Sequence, residues 1–284
     1  FSHRFDSLSR PETQPYTLNS HDILFSSPTM VADALVYHPT VSHYLKFLST
    51  TVGRDKLLRT IQYFARFYAW YLLRTNAPGG AAAPFSALKA QLGLTRKLLR
   101  IGKNVEHLKA AAAATDAKSM DPVLRYAAVG RQLGYAGYLS FDAATVLDAM
   151  KVRPWKGAKR AGHEAYRFWS AGLACSVVAQ VYTLWRLKQR ESRIDKKDGE
   201  GVVESKRITK YFFFFFLGNL DPTANLINFY RERAASQLQL LSDVCDLTIP
   251  LSALGWLALD DGIVGIAGTT SSVIGVYSQW KKTA

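Results

Sequence analysis

Apolar residues recur at helical spacing along most of the chain, so the predicted fold class is all-α. A first long helix is predicted from Val41 to Arg74. Asp55 and Arg59 stand four residues apart within it, a spacing that predicts a pair on one helix face. The stretch NAPGGAAAP at residues 76–84 then separates this helix from the next amphipathic segment.

The segment Phe85 to Ala114 sorts its polar and apolar side chains onto different faces of a predicted helix. A basic face opposite a broad aliphatic face is typical of a helix in a membrane interface, with its cations over anionic headgroups. A core helix of a soluble bundle is the alternative. The basic set is Lys89, Arg96, Lys97, Arg100 and Lys103, and the apolar set is Phe85, Leu88, Leu92, Leu98, Leu99 and Ile101.

Two later segments are long and apolar enough to predict one or two transmembrane helices. Phe168 to Leu187 is a mostly apolar run that matches the thickness of a bilayer core, with Trp169 and Trp185 near its ends. Gly262 to Trp280 is rich in small residues and is the second candidate. A buried helix of a soluble domain is the alternative for the first. We therefore expect a membrane-associated helical protein with amphipathic interfacial helices.

Gly130 and Gly134 form a Gly-x-x-x-Gly pattern inside a helix predicted from Leu124 to Met150. Small residues at this spacing let two helix backbones approach closely. They are the candidate helix-packing residues, and self-association of the chain is a hypothesis that follows from them.

Changes in composition along the chain predict five regions. The tail and the Phe-rich insertion, which begins YFFFFFL at residue 211, look foreign to the rest, so residues 1–29 and 211–231 are suspected not to be native. The regions are a disordered tail at 1–29, a cytosolic amphipathic-helical region at 30–160, a transmembrane helix at 161–188, a charged linker with the insertion at 189–231, and a C-terminal helix with a membrane-embedded segment at 232–284.

The chain carries 36 Lys and Arg against 22 Asp and Glu, a net charge of +14, which implies an anionic partner. No nucleic-acid-binding motif is present, so an anionic phospholipid membrane is favoured over nucleic acid. The histidines and two cysteines show no metal-ligand spacing, and no phosphate-binding or nucleophile motif occurs. Asp260 and Asp261 fit a charged helix N-terminus better than an acid–base pair. We expect no enzyme, no metal and no cofactor.

Several motifs together resemble the peroxin-11 family, and its filamentous-fungal members most. They are MVADALVYHPT from Met30, GRDKLLRTIQYFAR from Gly53, QLLSDVCD from Gln239, DDGIVG from Asp260 and QWKK from Gln279. The resemblance runs from Met30 to Ala284. Family members begin near Met30 and lack the Phe-rich block.

The resemblance implies a peroxisomal membrane protein that elongates the organelle and promotes its proliferation by fission. It implies that the apolar set enters the cytosolic leaflet while the basic set attracts headgroups. It also implies a homo-oligomer that works with a dynamin-related GTPase and its membrane adaptor, with the N-terminal region and the C-terminus facing the cytosol. A channel for small metabolites is the alternative function, and a soluble helical scaffold is a third.

Overall fold

The computed structural model describes residues 36–78, 80–195 and 224–284, without the side chains of 192–195 and 224–228. The predicted tail at 1–29 and most of the Phe-rich insertion lie outside these residues. All regular structure in the described part is helical, which confirms the all-α class. The helices are α1 (Pro39–Ser49), α2 (Thr51–Arg74), α3 (Ala83–Leu99), α4 (Lys103–Asp116), α5 (Pro122–Ala144), α6 (Val146–Ala149), α7 (Ala158–Asp195), α8 (Ala224–Ala253) and α9 (Asp261–Thr283).

The chain divides into two units, residues 1–46 and 47–284. The described part of the first unit is the beginning of α1 and the three residues before it. The predicted helix from Val41 to Arg74 is two helices, because Thr50 has an extended backbone and caps α2. Its Oγ1 accepts a hydrogen bond from the Gly53 N–H at 3.0 Å, as an N-cap side chain does.

In the second unit, the long helices pack in a closed order of neighbours. α3 packs on α2, α2 on α9, α9 on α8, α8 on α7, α7 on α5, and α5 on α4, which follows α3 in the chain. Tyr138, Leu173 and Val264 belong to a cluster of buried side chains contributed by helices of this set. The buried interior therefore receives side chains from distant parts of the sequence.

Glycines set the closest approaches between these helices. A Cβ at Gly134 of α5 would lie 2.5 Å from the Gly172 Cα of α7, which leaves no room for a side chain. A Cβ at Gly130 would lie 2.7 Å from Cys175 Sγ of the same helix. Both predicted packing glycines thus lie against α7 within one chain, and their part in an association between copies stays a prediction.

Glycines of α9 pack in the same way against aromatic side chains of α2. Gly265 lies against Phe67 and Gly268 lies against the Tyr63 ring, each closer than a Cβ would allow. The small residues that predicted a membrane-embedded segment therefore let α9 dock on α2.

Candidate membrane surface and ion-pair network

The amphipathic segment predicted as one helix from Phe85 to Ala114 is broken. α3 ends at Leu99, α4 begins at Lys103, and Gly102 between them has φ +84°. This left-handed conformation is costly for residues with a Cβ, which explains why a glycine ends the first half. The two sets therefore lie mainly on α3, with Arg100 and Ile101 in the joint and Lys103 at the start of α4.

Large aliphatic side chains stand among the exposed residues of α3, the joint and α4, together with polar ones such as Gln91 and Lys109. Five of them are 39–64% exposed. They are Leu88, Leu98, Ile101, Val105 and Leu108. Three of the six residues predicted to insert into the membrane, Leu88, Leu98 and Ile101, belong to this surface. We call it the apolar strip.

The other three predicted insertion residues, Phe85, Leu92 and Leu99, are half-buried. Leu92 follows Lys89 by three residues and precedes Arg96 by four, so it shares their side of the helix. The Phe85 ring meets Tyr68 of α2 edge-on, with 4.6 Å between the ring centroids. Sequence alone placed these residues opposite the basic face, but α3 directs them toward the bundle.

Four of the five basic-set residues have acidic partners within the chain. Arg96 Nε lies 3.0 Å from Asp55 Oδ1, and Lys89 Nζ lies 3.3 Å from Asp261 Oδ2. Asp142 of α5 binds both remaining cations, Lys97 at 3.1 Å and Arg100 at 2.9 Å. Headgroup binding by these four stays a prediction, and in this arrangement the ion pairs would first have to open.

Lys103 differs from the rest of the basic set. It is half-buried at the start of α4 and forms no ion pair with any acid in the part of the chain that the structure describes. Lys103 is therefore the one residue of the basic set that can bind a lipid headgroup without first breaking an ion pair with an acid of the described residues.

A buried ion-pair network extends inward from α3. Arg96 also donates from Nη1 to Gln62 Oε1 at 2.6 Å, and Arg59 donates from Nη1 to Asp246 Oδ2 of α8 at 3.2 Å. Arg59 and Arg96 are both 6% exposed. The predicted pair of Asp55 with Arg59 is wrong, because each side chain binds a residue on another helix.

The network lowers the pKa of an acid and of a neighbouring base, which has opposite consequences for their charges. Burial alone would raise the pKa of the Asp55 carboxyl, but the nearby Arg96 and Arg100 outweigh it and hold that pKa below its usual value. Lys56 is the residue that follows Asp55 in α2. Burial, reinforced by the charge of Arg59, lowers the pKa of Lys56 to about 8. The surroundings of Asp55 and Lys56 therefore favour the ionised carboxyl and disfavour a charged lysine.

Sequence patterns missed the acids of this network because their partners lie far away in the chain. Asp246 is 187 residues from Arg59, and Asp261 is 195 residues from Arg66, to which it also bonds. The signal that was present is the charge itself: Asp243 and Asp246 interrupt an otherwise apolar helical stretch. The expectation for Asp261 is confirmed, since it occupies the first turn of α9.

One helix in the described ranges, α7, is long and apolar enough to cross a membrane, over Ala158–Glu191. It contains the span predicted at 161–188. Only 28% of its most apolar window is buried within the chain, and Val178, Val181 and Trp185 are exposed. The outward side of α7 is thus suited to contact lipid. α9, the second predicted span, does not meet the same criterion.

Comparison with known proteins gives the class. The family model of Peroxisomal biogenesis factor 11 matches residues 41–280. Peroxisomal membrane protein PMP27 of Saccharomyces cerevisiae is 30% identical over 89% of this chain and 100% of its own length. Peroxisomal membrane protein 11B of Homo sapiens is 25% identical over 83% of this chain and 95% of its own length. No solved structure matches.

These findings define a helical protein of the peroxisomal membrane. The chain belongs to the Peroxisomal biogenesis factor 11 family, whose members named above are membrane and biogenesis proteins. The family resemblance drawn from the motifs is confirmed, and the chain is therefore a peroxisomal membrane protein of organelle biogenesis.

Proposed function

We propose that this chain elongates the peroxisomal membrane before fission by placing the apolar strip of α3 and α4 in the cytosolic leaflet. The observation that carries the proposal is the exposure of the strip's five aliphatic side chains on the outside of two consecutive helices. Burying the exposed part of each of these side chains in lipid contributes about 1 kcal/mol. The five together therefore favour a membrane interface by roughly 5 kcal/mol.

Shallow insertion acts on one leaflet only. Aliphatic side chains that enter between headgroups expand that leaflet relative to the other, and the mismatch in area is relieved by curvature. The protein needs no catalysis for this work. We place the N-terminal region and the C-terminus in the cytosol, and protease treatment of intact peroxisomes checks that orientation: both ends should be cleaved without detergent.

Headgroup attraction is assigned within this proposal to the basic set. Lys103 acts directly, whereas Lys89, Arg96, Lys97 and Arg100 exchange their carboxylate partners for lipid phosphates when α3 moves onto the membrane. Anionic lipid supplies the same charge as the displaced acids, but the buried carboxylates of Asp55 and Asp142 lose their partners, so the exchange costs more for Arg96 than for the half-exposed Lys89.

The test reconstitutes the full chain into vesicles containing anionic lipid and counts tubules by electron microscopy. The double variant Leu98→Gln, Val105→Gln removes apolar surface at two exposed positions and should abolish most tubules. The matched control is Ala87→Gln with Ala112→Gln, at exposed positions on the same helices. It should leave tubulation unchanged. Equal tubulation by both double variants would remove the strip from the mechanism.

Self-association and recruitment complete the proposal. The chain forms a homo-oligomer in the membrane and engages a dynamin-related GTPase through its membrane adaptor, as the family resemblance implies. Crosslinking of two differently tagged copies in peroxisomes, followed by affinity capture of the GTPase, tests both steps. Loss of capture when the adaptor is deleted is the expected result.

A channel for small metabolites is the second candidate. It is favoured by the buried charges of Arg59, Arg96, Asp55 and Asp246, because charged groups inside a membrane bundle commonly line paths for solutes. Solute flux through reconstituted vesicles tests it. Flux that falls for Asp246→Asn while tubulation persists would support a channel separate from membrane elongation.

A further inference from the structure

A second basic cluster lies in the loop between α6 and α7 and in the first turn of α7, outside the amphipathic segment. Five cations fall within ten residues, and no Asp or Glu occurs between Asp148 and Glu164. All five side chains are exposed. They are Lys151, Arg153, Lys156, Lys159 and Arg160.

The acid nearest to this cluster, which we call the corner cluster, is Asp148, and it forms no ion pair with the five cations. None of its five cations forms an ion pair with an acid among residues 36–78, 80–195 and 224–284. The cations of α3 are held by Asp55, Asp142 and Asp261. The corner cluster therefore keeps its positive potential for a partner outside the chain.

Two cations of the cluster line a cleft of about 490 Å³, within the usual size of small-molecule sites. Arg153 and Lys156 flank it, with Leu147, Pro154 and Trp155 as its apolar walls. Asp148 also lines the cleft. Its Oδ1 accepts a hydrogen bond from the Trp155 N–H at 2.8 Å, so this acid holds the loop in place.

Backbone contacts fix the shape of the cleft. The N–H groups of Val152 and Arg153 both donate to the Leu147 carbonyl, at 3.0 and 3.3 Å. Gly157 lies beneath the Trp155 ring, where a Cβ would be 2.7 Å from ring atoms. A cleft that exists before its ligand arrives loses less conformational entropy on binding.

The rim of the cleft indicates what kind of anion it takes. Leu147, Val152 and Trp155 are 48–67% exposed beside the cations. The loop leads directly into α7, the candidate membrane span. Tryptophan and basic residues next to a span are typical of the headgroup level of a membrane. An anion that carries acyl chains satisfies both the apolar rim and the charge, which a free anion in water does not.

We propose that this cleft binds the headgroup of an anionic phospholipid. Arg153 donates to the phosphate with its planar guanidinium, Lys156 adds a second charged donor, and Trp155 lies at the depth of the glycerol backbone. The site orients the corner at the membrane surface. It does not depend on the apolar strip, so membrane elongation and this site can fail separately.

The experiment titrates the full chain, in nonionic detergent, with phosphatidylserine or phosphatidylcholine of the same acyl chains and counts bound lipids by native mass spectrometry. Wild type should prefer phosphatidylserine. Arg153→Gln with Lys156→Gln should weaken phosphatidylserine binding about twentyfold, because each cation near an anionic headgroup contributes roughly a factor of five. Binding of phosphatidylcholine should not change.

The matched control removes the same charge elsewhere. Arg74→Gln with Lys118→Gln, at exposed positions away from the cleft, should bind phosphatidylserine within about twofold of wild type. An equal loss in both double variants, or none in the cleft variant, would overturn the proposal. Displacement of the lipid by millimolar inorganic phosphate would also overturn it, since the site would then be one for free anions.

A further variant keeps every charge. Gly157→Ala pushes the Trp155 ring from its place, so phosphatidylserine binding should fall several-fold while the helical circular dichroism stays that of wild type. If the Arg153→Gln, Lys156→Gln variant loses helix content, Gly157→Ala tests the lipid site in its place. Unchanged lipid binding by Gly157→Ala would contradict a cleft shaped by Trp155.

Discussion

The cations of α3 and those of the corner cluster look alike in the sequence but have different surroundings in the fold. Arg96 is buried and bonded to Asp55, whereas Arg153 is exposed and has no acidic partner in the described residues. The basic side chains of α3 face acids of the bundle, whereas its apolar side chains are divided between the bundle and the outside. A basic face therefore identifies a membrane-binding surface only after internal acids have been accounted for.

The largest expected effect comes from breaking an α3 ion pair. Asp55→Asn leaves the Arg96 guanidinium buried without a countercharge and should lower the free energy of unfolding by about 3–5 kcal/mol. Thermal unfolding of the detergent-solubilised chain measures it. Asp116→Asn, at an exposed position, should have no such effect. A cost below about 1 kcal/mol for Asp55→Asn would mean that the α3 cations are held no more firmly than those of the corner cluster.

Lys56 should make stability depend on pH in the direction opposite to that of a lysine whose pKa is raised by a stabilising ion pair. Its pKa is about 8 in the folded chain, below the usual 10.5, so the unfolded chain binds more protons between these values. Stability contributed by this residue therefore rises with pH through that window, by about 1.5 kcal/mol between pH 8 and 9.5. The difference in melting temperature between wild type and Lys56→Met measures it. A difference that is constant with pH would contradict the prediction.

The joint between α3 and α4 should show a smaller effect. Gly102→Ala places a Cβ in the left-handed region and should cost about 1 kcal/mol. Gly162→Ala is the matched control: it lies inside α7 with open space around a Cβ, and alanine there should stabilise by about 0.5 kcal/mol. Opposite shifts in melting temperature are expected, and shifts of the same sign would count against a strained joint.

The smallest effect is expected at the corner cluster. Lys159→Gln with Arg160→Gln removes two exposed cations that no acid pairs with, so stability should stay within about 0.5 kcal/mol of wild type. Melting temperatures in detergent test this. A loss comparable to that of Asp55→Asn would show that the corner cluster also has an internal role.

The sequence predicts what depends on local pattern. The all-α class, the helix begun by Pro122 and the acidic first turn of α9 at Asp261 follow from nearby residues. The break at Gly102 also had a local signal, a glycine in the middle of the amphipathic segment. Local periodicity showed that the two faces of α3 differ.

What periodicity could not show is which face turns inward. That choice depends on Asp55, Asp142 and Asp261, which lie 41, 42 and 172 residues from their partners on α3. Pairing across such separations is set by tertiary packing, so no spacing rule along one helix reveals it. The glycines Gly130 and Gly134 show the same limit: their spacing indicates a close helix contact, but only the fold identifies α7 as the partner.

Asp142 has a consequence for how α3 comes off the bundle. A single carboxylate fastens two cations of the last turn, one on each oxygen. Asp142→Asn would remove the acidic partner of both cations in one substitution, while Lys97 keeps its hydrogen bond to Thr145 Oγ1 at 2.8 Å. The C-terminal end of α3 is therefore attached to α5 through one carboxylate, that of Asp142.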